Sequence, residues 1–212
     1  MSFKFLTNLP SATETVIIIA CLHVWTSTSV VLADEANAIN HRATTTSKNK
    51  WELSPKNAHP RAVALLKDSF YWSILDDDSP FGNDNGADAL TAYRKWRNQH
   101  RIGTAVDFIR ELLTSFQAPL SEWKMLKASD INTFLDQIKG YVLETGDDVI
   151  ISVAFAELLL DGKIDEEVRT LAQRAIQNEQ GLIKWRRWTD PVERAHRLKQ
   201  METVLIQASK GG

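Results

Sequence analysis

Five aspartates lie close together in one segment that contains no basic residue. They are Asp76, Asp77, Asp78, Asp84 and Asp88. Carboxylate oxygens are the ligands that hard cations such as Ca²⁺ and Mg²⁺ prefer in proteins. An acidic segment can also imitate a polyanionic substrate and so bind another protein. Residues 75–88, which we call the acidic loop, are therefore a candidate site for a cation or for a partner protein.

The calcium-binding pattern of EF-hands does not match the acidic loop. If Gly86 takes the sixth position of that pattern, Phe81 stands at the first position and Ala92 at the twelfth, and neither side chain binds cations. A structural interpretation uses the same segment: Asn83 or Asp84 caps the next helix, whose N-terminus favours nearby acids. With Asn83 included, the candidates for binding a partner or a cation are Asp76, Asp77, Asp78, Asn83, Asp84 and Asp88.

A second segment combines basic and aromatic side chains. It consists of Trp185, Arg186, Arg187 and Trp188. Such a basic–aromatic patch can bind a phosphate backbone or an anionic lipid surface. The alternative is a solvated helix face whose tryptophans pack inward. The net charge of −2 does not indicate a nucleic-acid partner, and we expect none.

Glu157 and Asp161 lie four residues apart, within and just after the most apolar part of the chain. A buried carboxylate at Glu157 could have a raised pKa and act as a general acid. The favoured alternative is that Ala154, Glu157 and Asp161 form a solvent-exposed stripe on a buried helix. The sequence also lacks a nucleophile elbow, a phosphate loop and a dinucleotide fingerprint. It therefore indicates no catalytic residue and favours a protein that is not an enzyme.

Residues 1–33 have the pattern of a secretory signal peptide. Lys4 precedes the apolar run Val16–Trp25, which is about ten residues long and so too short for a transmembrane helix. Val31 and Ala33 are residues typical of the positions before a cleavage site. We therefore predict a periplasmic or secreted protein with no membrane span in the mature chain. The alternative is a buried N-terminal helix or a misassigned start codon.

Cys21 is the only cysteine, so the chain cannot form an internal disulfide. Because Ile18–Cys21 has the form of a loose lipobox, a second interpretation makes the protein a lipoprotein anchored at Cys21. Cleavage after Ala33 would instead leave a mature chain without cysteine. That outcome excludes thiol catalysis and thiolate metal sites.

The rest of the chain favours helices. Residues 34–58 are rich in loop formers and predict a poorly ordered leader, whereas residues 59–208 predict one compact domain of several helices. Pro60 and Asp190 mark helix starts, and Gly140 and Gly162 mark helix ends. The apolar run at 149–153 also permits a strand, but the alanines and leucines after it favour a helix. The predicted fold class is mainly α.

The acidic loop carries a short signature at residues 80–84. Pro80, Phe81, Asn83 and Asp84 form the pattern Pro-Phe-x-Asn-Asp at the start of a predicted helix. This pattern resembles the YfeS-like bacterial proteins, and the resemblance extends from residue 55 to about residue 205. It implies a helical fold with a shared structural motif. The family has no established activity, so the resemblance implies no reaction.

These observations favour an exported, non-catalytic helical protein that binds another protein. One specific version is an immunity-like inhibitor of a toxin, because an acidic loop can imitate a polyanionic substrate. This hypothesis requires no cofactor. The alternative is a metal-dependent hydrolase or calcium-binding protein that uses Asp76–Asp88, with Ca²⁺ or Mg²⁺ bound there.

Overall fold

Helices dominate the part of the chain that the computed structural model describes, which is residues 52–126, 135–186 and 188–209. These residues form seven α-helices and two short 3₁₀ helices, at Pro55–Asn57 and Ser69–Trp72, and no strand. The predicted mainly-α class is therefore confirmed. The α-helices are α1 (Pro60–Leu65), α2 (Asp84–Gln99), α3 (Ala105–Ser115), α4 (Leu120–Met125), α5 (Gln137–Asp161), α6 (Glu166–Leu182) and α7 (Pro191–Ser209).

Helix α5 is the centre of the fold. Its 25 residues are apolar on nearly all sides, which is typical of a helix surrounded by other helices. Helices α2 and α6 pack most extensively on it, and α1, α3 and α4 cover further parts of its surface. Helix α7 packs on α6 and α1 instead, so it lies in an outer layer.

Two details of α5 correct the sequence analysis. The run at 149–153 is helical, so the strand alternative is wrong. Gly140 is not a helix end, because α5 begins at Gln137 and continues through Gly140 and Gly146. A glycine costs a helix interior only about 1 kcal/mol, and burying the long apolar surface of α5 outweighs that cost.

The other predicted helix boundaries are confirmed. Pro60 is the first residue of α1, and the Asp190 carboxylate accepts hydrogen bonds from the backbone N–H groups of Val192 and Glu193, each at 3.0 Å. Gly162 ends α5 in the left-handed conformation, with a φ of 68°. Asn83 caps α2, because its side-chain oxygen accepts a hydrogen bond from Gly86 N at 2.7 Å.

The residues just before α1 are held against the domain. Ser54 caps the short turn Pro55–Asn57, and the backbone N–H of His59 donates to the carbonyl oxygen of Leu159 on α5 at 2.8 Å. Residues 34–51 of the predicted leader and the predicted signal peptide at 1–33, with Cys21, lie outside the described residues. Within the described residues, no helix has the length and apolar character needed to cross a membrane.

Helix α4 has only six residues, but it places a large side chain directly on α5. Trp123 is completely buried, and its indole N–H donates to Asp147 at 2.9 Å. The ring lies so close to Gly146 that a Cβ atom at this position would overlap it. Gly146 is therefore needed for close approach rather than for backbone freedom.

We expect Gly146→Ala to destabilise the protein by about 1–3 kcal/mol, because the new methyl group must displace the Trp123 ring from a packed core. Alanine is the better helix former, so propensity alone gives the opposite sign. Gly181→Ala is the matched control. Gly181 lies in α6, and a methyl group at this position would meet no other atom within 4 Å. That variant should be stabilised by up to about 1 kcal/mol. Urea unfolding of both variants and the wild type measures these differences. A Gly146→Ala variant as stable as the wild type would contradict the predicted overlap with Trp123.

Candidate functional site

The acidic loop is built by local hydrogen bonds from side chains to the backbone. The Ser73 hydroxyl accepts from the N–H groups of Leu75 and Asp76, each at 3.1 Å. The Asp76 carboxylate accepts from Asp78 N at 3.0 Å. The completely buried ring of Phe81 anchors the middle of the loop. Such bonds give residues 75–83 a defined shape without regular secondary structure. Asp84 and Asp88, by contrast, lie in the first turns of α2.

The carboxylates of the acidic loop do not converge on one point. Asp78 lies beside Arg194, whose guanidinium donates to the Asp78 carbonyl oxygen at 2.9 Å. Asp77, Asp84 and Asp88 are exposed and have no partner among the described residues. Across residues 52–126, 135–186 and 188–209, no three His, Cys, Asp or Glu side chains are grouped as metal ligands would be. The loop presents separate negative charges to solvent.

An apolar groove of about 470 Å³ adjoins the acidic loop. We call it the loop groove; its apolar lining is Leu53, Trp72, Ile74, Leu75, Ala87 and Leu90. Leu75 is 89% exposed and Ile74 is 55% exposed. Two large apolar side chains therefore stand in solvent at the start of the segment that carries the three carboxylates without partners.

Among the described residues of the predicted basic–aromatic patch, Arg186 does not lie on the surface. The Arg186 side chain is only 5% exposed and points into the domain, where Asp147 lies 3.2 Å and Glu179 3.5 Å from its guanidinium. Trp185, by contrast, is 54% exposed. Arg187 lies outside the described residues. Both the phosphate-binding interpretation and the solvated-face alternative are thus corrected for Arg186, because buried carboxylates attract its charge inward.

A second buried ion pair adjoins the first. Arg194 on α7 holds Glu179 on α6 through two hydrogen bonds, one of 2.6 Å from Nε and one of 2.8 Å from Nη2. The guanidinium also lies 4.2 Å above the ring of Trp188. This two-pronged geometry is the strongest arrangement for an arginine and a carboxylate. It connects α6 to α7.

Asp147 on α5 is completely buried at the centre of this cluster. Its carboxylate accepts hydrogen bonds from Trp123, from Asn178 at 3.0 Å and from Arg186 at 3.2 Å. Burial nevertheless raises the pKa of Asp147 to about 8, against the opposing effect of Arg186. Burial likewise raises the pKa of Asp148 to about 6. The cluster therefore holds carboxylates in an environment that disfavours their charge.

A polar cleft of about 300 Å³ opens onto the buried cluster. Its lining includes Asn85, Tyr141, Glu144, Asp148, Arg186 and Trp188. The signature meets the cleft, because Asn83 lines it. Asn85, just after the signature, donates from its amide to the Asp148 carboxylate at 3.1 Å. Asp147, Asp148, Glu179 and Arg194 were not among the predicted site residues. The available signal was the acidic pair at 147–148, directly before an almost wholly apolar run.

Glu157 is buried rather than part of a solvent-exposed stripe, which corrects the favoured interpretation. Its carboxylate accepts a hydrogen bond from Asp165 N at 3.0 Å, and burial raises its pKa to about 7. Asp161 forms an ion pair with Arg97 at 2.9 Å. The stripe interpretation assumed that one face of the helix meets water, whereas neighbouring elements cover all sides of α5 at residues 149–159. The buried carboxylate serves as a structural acceptor between α5 and the start of α6.

We expect Glu157→Gln to change how stability depends on pH. The folded pKa of about 7 lies above the reference value of 4.5, so between these values the folded state binds a proton that the unfolded state releases. The free energy of unfolding of the wild type must then fall as pH rises through this window. Glutamine stays neutral at every pH and keeps an acceptor for Asp165 N. The free energy of unfolding of the variant should therefore fall less with rising pH than that of the wild type, by an amount on the order of 3 kcal/mol.

Urea unfolding at pH 5 and pH 8 measures this difference. Glu111→Gln, at an exposed position on α3, is the matched control and should follow the wild type at both pH values. A wild type and a Glu157→Gln variant with parallel pH profiles would show that Glu157 does not bind this proton.

One curated relative matches a large part of the chain. The chain is 24% identical over 144 residues to the uncharacterized protein YfeS of Escherichia coli strain K12, which covers 65% of this chain. The match spans 57% of the relative, less than two thirds of its length. No protein-family model and no solved structure matches the chain. The similarity confirms the YfeS-like relationship that the Pro-Phe-x-Asn-Asp signature at 80–84 predicted.

Proposed function

We propose that this is an exported, non-catalytic protein that binds another protein through the acidic loop and the loop groove. The observation that carries the proposal is the exposure of Leu75 and Ile74 beside three carboxylates without partners. Burying a leucine side chain stabilises a protein by about 2 kcal/mol. Here the hydrogen bonds from Leu75 N and Asp76 N to the Ser73 hydroxyl hold the Leu75 side chain in solvent instead. This exposure favours a role of Leu75 in binding.

The charges of the loop indicate the chemistry of the partner. Asp77, Asp84 and Asp88 lie in the same segment as Leu75 and Ala87, and the loop groove is also lined by Glu52 and Arg94. The complementary surface therefore has an apolar anchor, with basic groups that face the three aspartates. Such charges speed up association and give specificity, and the large apolar contact supplies most of the affinity. An immunity-like inhibitor of a basic toxin is one protein of this kind.

The buried carboxylates support a non-catalytic role. Glu157, Asp147 and Glu179 each accept hydrogen bonds from groups that belong to the packing of the domain. A catalytic acid or base needs to reach its substrate directly or through one water. These three side chains are completely or almost completely buried, and their partners connect helices to one another.

We expect Leu75→Asp to weaken the complex at least about tenfold, because it removes the apolar anchor and adds a charge at its position. The measurement is capture of a stoichiometric partner from envelope extract, followed by titration of that partner. Asp77→Asn combined with Asp84→Asn and Asp88→Asn should mainly slow association, and added salt should have the same effect on the wild type.

Ile102→Asp is the matched control. Ile102 is 100% exposed, but it follows the far end of α2, roughly 20 Å from the acidic loop by helix length. This variant should bind as the wild type does. Equal binding by Leu75→Asp and Ile102→Asp would contradict the proposed surface. Heat released by Ca²⁺ or Mg²⁺ and lost in Asp84→Asn would favour the cation-binding alternative instead.

Export rests on the apolar run at 16–25 and on the cleavage pattern before Asp34. We expect the mature protein to begin at Asp34, which N-terminal sequencing of the protein from its native host measures. A mature chain that begins at a lipid-bearing Cys21 would instead make the protein a lipoprotein anchored to a membrane. A chain that begins at Met1 would contradict export by this signal.

A further inference from the structure

The described part of the chain begins beside the loop groove. Glu52 and Leu53 line the groove, and Leu53 also packs against the core. The carbonyl oxygen of Glu52 accepts a hydrogen bond from the Asn57 side chain at 3.1 Å, which holds the backbone at this point. Consecutive Cα atoms are about 3.8 Å apart. The covalent chain therefore keeps the residues just before Glu52 within reach of the groove.

The four residues before Glu52 complement the acidic loop in charge and in apolar character. They are Lys48, Asn49, Lys50 and Trp51, so they combine two cations with one large aromatic ring and contain no acid. An aromatic side chain buries about 150–250 Å² when it packs against other groups. Residues 48–51 thus carry the apolar anchor and the basic groups that the loop groove and the acidic loop require.

The groove presents matching partners to this segment. Leu75 and Ile74 are 89% and 55% exposed, so other described residues leave much of their surface uncovered. On α2, Asp88 lies three residues before Thr91, which lines the groove. Residues three apart are neighbours on a helix surface, so Asp88 stands at the edge of the groove. Asp77 follows Leu75 by two residues and adds a second exposed carboxylate.

We propose that residues 48–51 occupy the loop groove in the free protein, with the Trp51 ring on Leu75 and the two lysines beside the acidic loop. The consequence for binding rests on the proposed function, because the segment covers the surface that the partner needs. A contact within one chain has a high effective concentration, so even a weak contact can compete. The chain therefore carries its own competitor, which a partner must displace.

A second copy of the chain fits the groove less well. A contact between two identical surfaces would place one acidic loop against another, and the carboxylates of the two copies would repel each other. Residues 48–51 bring charges of the opposite sign and are already tethered at Glu52. Charge complementarity and chain connectivity thus favour the same occupant.

Limited digestion of the full chain with trypsin tests the inference without a partner. Cleavage after Lys48 requires release of the segment, and its rate follows the population of the released form. Cleavage after Arg42 is the internal reference. We expect Leu75→Ser and Trp51→Ser each to raise the rate after Lys48, relative to that after Arg42, at least about threefold. Ile102→Ser, at a fully exposed position outside the groove, is the matched control and should leave this ratio unchanged.

The charges have a separate test. Asp77→Asn combined with Asp84→Asn and Asp88→Asn should raise the same ratio about twofold or more, because the lysines lose their attraction to the loop. Added salt should raise the ratio in the wild type and have less effect in the triple variant.

Two digestion results would overturn the inference. The first is an equal cleavage ratio in the wild type, Leu75→Ser and Trp51→Ser. The second is an equal rise in Ile102→Ser, which would show general loosening rather than release from the groove.

Titration of a captured partner separates this inference from the proposed function. Trp51→Ser removes the competitor and should tighten partner binding at least about threefold, whereas Leu75→Asp weakens it. Unchanged partner affinity in Trp51→Ser would overturn the competition. Protection of Lys48 in the wild type without any captured partner would contradict the proposed function alone. A partner lost in Leu75→Asp, without protection of Lys48, would contradict this inference alone.

Discussion

The buried ion cluster around Arg186 and Arg194 determines how the second half of the chain is arranged. Arg186 follows α6 and contacts carboxylates on both α5 and α6, and Arg194 on α7 grips Glu179 on α6. Breaking a buried pair of this kind costs several kcal/mol, because the remaining charge stays without a partner. A packing of α6 and α7 that separated these partners would leave charges unpaired in the core.

This constraint explains a polar centre in an otherwise apolar fold. Helix α5 could be buried by apolar contacts alone, and such contacts tolerate sliding and rotation between helices. Asp147 accepts from Trp123 on α4, Asn178 on α6 and Arg186 after α6. One carboxylate therefore sets the relative positions of three elements. The cluster contributes more to a unique arrangement than to net stability.

The two candidate sites have different physical characters. The acidic loop and loop groove expose large apolar side chains to solvent, which is typical of contacts between proteins. The polar cleft is concave, and its lining continues into the buried cluster, which is typical of sites for small groups. The YfeS-like signature connects them, because Asn83 belongs to the acidic loop, caps α2 and also lines the cleft.

The sequence by itself determined the helical class and most helix boundaries. Pro60, Asn83, Gly162 and Asp190 act through their own backbone geometry or through nearby N–H groups, and such local effects can be read from neighbouring residues. The signature at residues 80–84 likewise indicated the YfeS-like relationship. The exposed carboxylates of the acidic loop could be named for the same reason, since no distant residue pairs with them.

Only the tertiary structure decided which charges are buried. Arg186 and Glu157 were predicted to be on the surface, because charged side chains usually are. Their burial depends on Asp147, Glu179 and Asp165, which approach them from other elements or across a turn. Gly140 continued the helix for a related reason, since packing of α5 outweighs local propensity. Contacts with residues distant in the chain decide whether a charged side chain is buried, and the neighbouring sequence does not show these contacts. The polar cleft therefore forms only when the helices pack together.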